Sequence, residues 1–120
     1  METVGFIGLG AMGGPVAGHI QRAGYPMVVY DLRDEAMHSF LARGATAANS
    51  VAELAGRSDV MITALPMPAD VERVACGKDG IIEGIRPGSV FVDISTSPPS
   101  LIRGLEPLFR GRVHRFWMRP

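Results

Sequence analysis

Apolar positions recur along this chain in two rhythms that take turns. Short runs rich in β-branched residues, TVGFIG (3–8), PMVVYD (26–31), DVMITAL (59–65) and SVFVDI (89–94), read as buried strands. Between them apolar residues return every three or four positions: Met12, Val16, Ile20 and Ala23, then Ala36, Phe40 and Leu41, then Val51, Leu54 and Ala55, then Val71, Val74 and Ala75. That spacing predicts helices with one apolar stripe. Gly24 and Gly44 follow two of these helices where a left-handed cap is expected, and ATAA (45–48) fits a minor third strand. Parallel strands need a crossover to return, so the alternation predicts a doubly wound α/β domain with strand order 3-2-1-4-5.

Composition adds bounds. In 120 residues, 47% apolar, there is material for one core and one domain. Twelve Lys plus Arg balance twelve Asp plus Glu, which gives no electrostatic case for nucleic acid or an anionic membrane. The balance is uneven, because Arg110, Arg112, Arg115 and Arg119 cluster after Pro107 with no acid beside them. The lone Cys76 rules out a disulfide framework or thiolate cluster, suits a reducing cytoplasm and reads as a small buried hydrophobe. The start, Met1-Glu2-Thr3, lacks the basic segment of a secretory signal, and no apolar run approaches membrane-spanning length.

The chemistry begins at GFIGLGAMGGP, where Gly8, Gly10 and Gly13 form GxGxxG between the first strand and the first helix. Gly8 permits the tight turn, Gly10 lets backbone approach a pyrophosphate, and Gly13 lets helix and strand pack closely. The helix amino terminus then offers free N–H groups to the phosphates. Leu9, Ala11 and Met12, lying between the glycines, join the expected cofactor contacts. Asp31 ends the second strand about twenty residues on, where a carboxylate accepts both adenosine ribose hydroxyls and repels a 2′-phosphate. A Rossmann-type NAD site follows. Arg33, two residues later, offers the alternative of holding the 2′-phosphate of NADP.

These residues carry a resemblance. VGFIGLGAMGGPVA resembles the opening of the β-hydroxyacid dehydrogenases, the group that holds 3-hydroxyisobutyrate dehydrogenase and the cofactor domain of 6-phosphogluconate dehydrogenase. ITALPMPADV is similar to the family loop in which a Leu-Pro pair, here Leu65 and Pro66, lies against the cofactor; Asp70 stands where the family often has Asn. GKDGIIEGIRPGSVFVDISTSPP resembles the run into the family motif DxSTxxP, met by Asp93, Ser95, Thr96 and Pro99. The resemblance implies that Thr96 lies near the nicotinamide ribose and that Ser95 and Thr96 face the substrate. Read from the residues alone, both hydroxyls are candidates to cap the helix starting near Pro98.

The resemblance further implies hydride transfer between nicotinamide and a small 3-hydroxy acid, with a lysine from a later helix as general acid or base. Lys78 is the only lysine, in a Gly-bounded turn where a solvated charge is expected. His19, His38 and His114 are expected on the surface and lack metal-ligand spacing. No catalytic residue and no metal site is assigned; the resemblance places the catalytic lysine and its helical domain beyond position 120, so a truncated chain that binds dinucleotide without turnover is expected. An NADPH-dependent semialdehyde or imine reductase domain, or a non-catalytic nucleotide sensor, stays open.

The end breaks the pattern. Residues 1–107 read as the NAD(P)-binding domain and 108–120 as a basic tail of foreign character. In the resembling family a sixth strand here ends in a motif like LDAPV. The codons required by Phe116-Trp117-Met118 spell Leu-Asp in a shifted frame, and a CGN codon for Arg119 then gives Ala and permits Pro. A frameshift, loss of the sixth strand, an exposed fifth-strand edge and self-association through it are the resulting expectations.

Overall fold

The computed structural model describes residues 1–120. Its elements run β1 (Val4–Ile7), α1 (Gly13–Arg22), β2 (Met27–Tyr30), α2 (Asp34–Ala42), β3 (Thr46–Ala47), α3 (Val51–Gly56), β4 (Val60–Thr63), α4 (Pro68–Cys76), α5 (Ile81–Gly84), β5 (Val90–Asp93), α6 (Pro99–Phe109) and β6 (Arg115–Met118). All strands are parallel, in the order β3-β2-β1-β4-β5-β6. The predicted order is present with one strand added at the edge. Gly24 and Gly44 have φ of 96° and 104°, the left-handed turns expected after α1 and α2.

Two apolar layers hold the sheet. On one face Ile7, Met61 and Phe91 meet Leu54, Val71 and Ile81 from the helices between β3 and β5. On the other, Phe6 and Val29 meet Ala17 of α1 and Met37 and Phe40 of α2. Helix α1 turns an unexpected side inward, burying Gly13, Ala17 and Gly18 and leaving Met12 and Val16 exposed. The cause is contact distance: α1 approaches β1 so closely that only small residues fit between them.

Residues 108–120 are not a patternless tail, and the sixth strand is not lost. Leu108 and Phe109 finish α6, and β6 pairs with β5 in register from Val90 with Arg115 to Asp93 with Met118. His114 N–H donates to the Ser89 carbonyl at 2.7 Å and Arg119 N–H to the Asp93 carbonyl at 2.9 Å, bracketing the ladder. Arg115-Phe116-Trp117-Met118 alternates across the sheet with Phe116 and Met118 turned inward. Phe116 joins Phe91 and Phe109 in an aromatic trio with ring centroids 5.1–5.5 Å apart, and such pairs add about 0.5–1.5 kcal/mol each beyond burial. The β5 edge is therefore covered. The free edge belongs to β6, where the exposed Arg115 and Arg119 discourage further pairing.

One region of sheet stays bare. Ile62, Val92 and Trp117 are register partners across β4, β5 and β6, facing away from α4 and α6. Helices α1 and α2 cover the β1–β3 half of that face. Ile62 and Val92 remain partly exposed and Trp117 is 51% exposed. A parallel sheet ordinarily has both faces covered.

Candidate functional site

A cleft of about 790 Å³ opens along the carboxyl ends of β1, β2 and β4. This is the crevice where strand order reverses, since β1 is flanked by β2 on one side and β4 on the other. Gly8, Gly10, Gly13, Asp31, Leu65 and Pro66 line it, with Ala11, Met12 and Arg33 also at its wall.

The three glycines are there for three different reasons. Gly8 has φ of 95°, and a Cβ on it would come within 2.2 Å of the Ala64 carbonyl oxygen. A Cβ on Gly13 would lie 2.0 Å from the Gly8 carbonyl oxygen and 2.8 Å from Ala64 Cβ. Both glycines are demanded by the protein's own packing. Gly10 is not: its Cβ would meet only Arg33 Nη2, at 3.8 Å, an ordinary contact. Glycine there leaves open space on the cleft side, as a bound diphosphate needs. The amino terminus of α1 behind it has no side-chain cap and no acid in its first turn, so its positive end is left for an anion. The residues present thus fit a dinucleotide.

Asp31 is partly buried and does two jobs. Its Oδ2 accepts the Leu9 N–H at 2.8 Å and its Oδ1 accepts the Arg33 N–H at 2.9 Å. The first bond ties the glycine turn to the end of β2. Arg33 Nε also stands 3.5 Å from Asp31 Oδ1, so the guanidinium leans on the carboxylate. Leu9 itself contributes its amide to this link, while its side chain is buried in the core and does not line the cleft.

Ser95 and Thr96 are not in this cleft. Ser95 is 1% exposed, and its Oγ accepts the Leu65 N–H at 2.6 Å. Thr96 is exposed on the loop after β5. Neither caps the following helix, whose N-cap is Pro98 with no side-chain hydrogen bond. The capping expectation is corrected: the Ser95 hydroxyl is taken by the Leu65 amide, and the Asp93 carboxylate accepts the Ser95 N–H. Asp93 is fully buried, with Oδ1 accepting from Thr63 Oγ1 at 2.8 Å and Oδ2 from Ser97 Oγ at 3.2 Å.

Several cleft residues were missed by motif reading. Asn49, Ser50 and Val51 come from the β3–α3 turn, and Arg73, Val74 and Lys78 from α4 and the turn after it. Ser50 Oγ accepts the Glu53 N–H while Glu53 Oε2 accepts the Asn49 N–H, both at 3.0 Å. The S-x-x-E spacing that announces this cap was available in the sequence and places the turn at the carboxyl edge. Lys78 is exposed, as a solvated charge should be, yet stands at the cleft rim. His19, His38 and His114 are all exposed. Cys76 is only half-buried, against the fully buried position expected; partial burial and the nearby Glu72 carboxylate push its thiol pKa up, which keeps it protonated and unreactive.

Residues 3–114 match the family model described as the NAD binding domain of 6-phosphogluconate dehydrogenase. The chain belongs to that family. It therefore carries a nicotinamide dinucleotide-binding domain of Rossmann type. A probable mitochondrial 3-hydroxyisobutyrate dehydrogenase of Dictyostelium discoideum is 43% identical over 102 residues, which make up 85% of this chain and 32% of that protein. The crystal structure of a 3-hydroxyisobutyrate dehydrogenase from Salmonella typhimurium superimposes with a TM-score of 0.85 at 31% identity, covering 96% of this chain and 40% of that one. An imine reductase from Myxococcus stipitatus in complex with NADP+ has a TM-score of 0.83 at 21% identity over 96% of this chain and 39% of that one, a likeness of fold alone. The chain spans about a third of the length of the curated relatives it matches. No helix is long and apolar enough to cross a membrane.

Proposed function

We propose that this domain binds NAD in preference to NADP and serves as the cofactor half of an oxidoreductase acting on a small 3-hydroxy acid. The observation that carries the reading is the Asp31 carboxylate at the end of β2, lining the cleft beside the glycine turn. Gly8, Gly10, Ala11, Met12 and Gly13 surround the diphosphate, Asp31 takes the adenosine ribose, and Leu65 and Pro66 flank the other half of the cofactor. When bound, the nicotinamide supplies a hydride acceptor or donor. Thr96, exposed beyond β5, faces the substrate side. Arg33 leans on Asp31, so a 2′-phosphate entering there meets a negative carboxylate and a guanidinium already engaged. Isothermal titration calorimetry with both cofactors tests this: NAD is expected to bind about tenfold or more tightly, given the cost of juxtaposed like charges. Equal or reversed affinities overturn the preference.

We further propose that this chain does not turn over substrate by itself. The loop after β5 exposes the Thr96 hydroxyl alone, Ser95 and Ser97 being buried and hydrogen-bonded, and the one carboxylate there, Asp93, is buried and hydrogen-bonded too. No proton acceptor stands free beside it. An absorbance assay for NADH with 3-hydroxyisobutyrate and with serine is expected to stay flat, and clear turnover overturns the reading. A reducing, cytoplasmic setting belongs to the same proposal and suits the free Cys76 thiol.

Because β6 covers the β5 edge, we propose self-association through the bare row of Ile62, Val92 and Trp117. The sole tryptophan lies in that row, so its emission should shift to the blue as protein concentration rises, in step with the sedimentation coefficient. Trp117→Glu is expected to hold the protein monomeric. A concentration-independent spectrum and sedimentation would remove the proposal.

A further inference from the structure

We infer that Ser95 is a positioning residue that sets the wall of the cofactor cleft, rather than a group that touches substrate. The inference rests on the dinucleotide reading above.

The serine hydroxyl is 2.6 Å from the Leu65 amide, which donates to it, and the side chain is 1% exposed. A buried hydroxyl committed to a backbone N–H has no path to a small molecule in the cleft. Its own position is fixed from behind. The Ser95 N–H donates to Asp93 Oδ1 at 3.2 Å, the same oxygen that accepts from Thr63 Oγ1 at 2.8 Å. Thr63 ends β4 and Asp93 ends β5, and the two are register partners. The carboxylate thus locks the ends of both strands together, and the serine extends that lock forward by two residues to the Leu65 backbone.

Leu65 is where the lock reaches the cleft. It lines the cleft with Pro66, and its Cδ2 stands 3.1 Å from where a Cβ of Gly8 would be. Asp31 lies on the opposite side of the glycine turn, at the end of β2. In a doubly wound sheet the dinucleotide straddles the switch point. With its adenosine ribose at β2, its other half must lie over β4 and β5, against the segment that Ser95 holds. Asp93 also reaches the next strand: its carbonyl accepts the Arg119 N–H at 2.9 Å, and Ser97 N–H donates to the Arg119 carbonyl at 3.1 Å. Asp93 therefore ties the ends of three strands, β4 through its carboxylate and β6 through its backbone carbonyl, and Ser95 is the arm of that cluster which reaches the cleft wall.

The test separates the two halves of the cofactor. NADH and ADP-ribose are titrated into the wild type and into Ser95→Ala, with thermal unfolding followed in parallel. Loss of the acceptor leaves a buried N–H unpaired and frees the loop, so NADH affinity should fall about tenfold while ADP-ribose affinity stays within about twofold. Equal weakening of both ligands, or of neither, overturns the inference, since a merely structural serine makes no distinction between them. Should Ser95→Ala fail to fold, amide exchange in the wild type decides. NADH, but not ADP-ribose, is expected to slow exchange of the Leu65 amide, and equal effects of the two ligands reject the idea. A wild type that binds neither ligand overturns the dinucleotide reading itself, and this inference with it.

Discussion

Gly10→Ala is expected to leave the fold standing and to abolish most dinucleotide binding, while Gly13→Ala is expected to damage the fold itself. The two positions lie three residues apart in one motif, yet their surroundings differ completely. A methyl group at Gly10 meets nothing closer than Arg33 Nη2 at 3.8 Å, so the folded protein loses nothing by accepting it. It would instead occupy the cleft where a diphosphate must approach the backbone. Each hydrogen bond to a charged group is worth about 1.5–3 kcal/mol, so loss of one weakens NAD by about ten- to a hundred-and-fifty-fold and loss of a second by more. At Gly13 the added methyl would sit 2.0 Å from the Gly8 carbonyl oxygen and 2.8 Å from Ala64 Cβ, so neither neighbour leaves it room. Overpacking of this kind costs about 1–3 kcal/mol or more, a large share of the roughly 5–15 kcal/mol that holds a domain together. Thermal unfolding and calorimetry on both variants check the contrast. A destabilised Gly10→Ala that still binds NAD would reverse the assignment of roles.

Asp31→Ala is the second large effect, and it is expected to hit twice. The variant loses the acceptor for the ribose hydroxyls, and it also releases the Leu9 amide, now held at 2.8 Å. The glycine turn then has to be ordered by the ligand, which costs affinity beyond the missing ribose contact. NAD should bind about a hundredfold more weakly, from two charge-assisted bonds at about 1.5 kcal/mol each. NADP should lose far less, because removal of the carboxylate frees the Arg33 guanidinium, now 3.5 Å from it, for a 2′-phosphate. The measured quantity is the NAD-to-NADP affinity ratio. If that ratio does not fall, Asp31 is not the discriminating residue.

Much of this was legible in the residues. The glycine pattern, the strand before it and the acid ending the next strand each depend on local backbone geometry, which a short stretch of sequence specifies. The helix faces were less legible. Met12 and Val16 look like a core stripe, but the close approach of α1 to β1 turns glycine and alanine inward instead. The role of Ser95 was hidden for a related reason, since its partner at Leu65 lies 30 residues away and no spacing rule connects them. The sixth strand is masked in the sequence by the four arginines after Pro107, which hide a plain alternation at Arg115–Met118. Phe116 and Met118 point the same way, and two aromatic neighbours wait for them in the core.

The bare row across β4, β5 and β6 gives the domain two unlike halves, one a three-layer sandwich and the other only two layers deep. Melting the thin half wets little apolar surface that was dry before. Scanning calorimetry on dilute, monomeric protein should then give a heat-capacity increment below the roughly 1.4–1.8 kcal/mol/K expected for a chain of this length. The curve of free energy against temperature becomes correspondingly broad and shallow, so that warming and cooling both find a molecule with modest resistance until something greasy settles on Trp117.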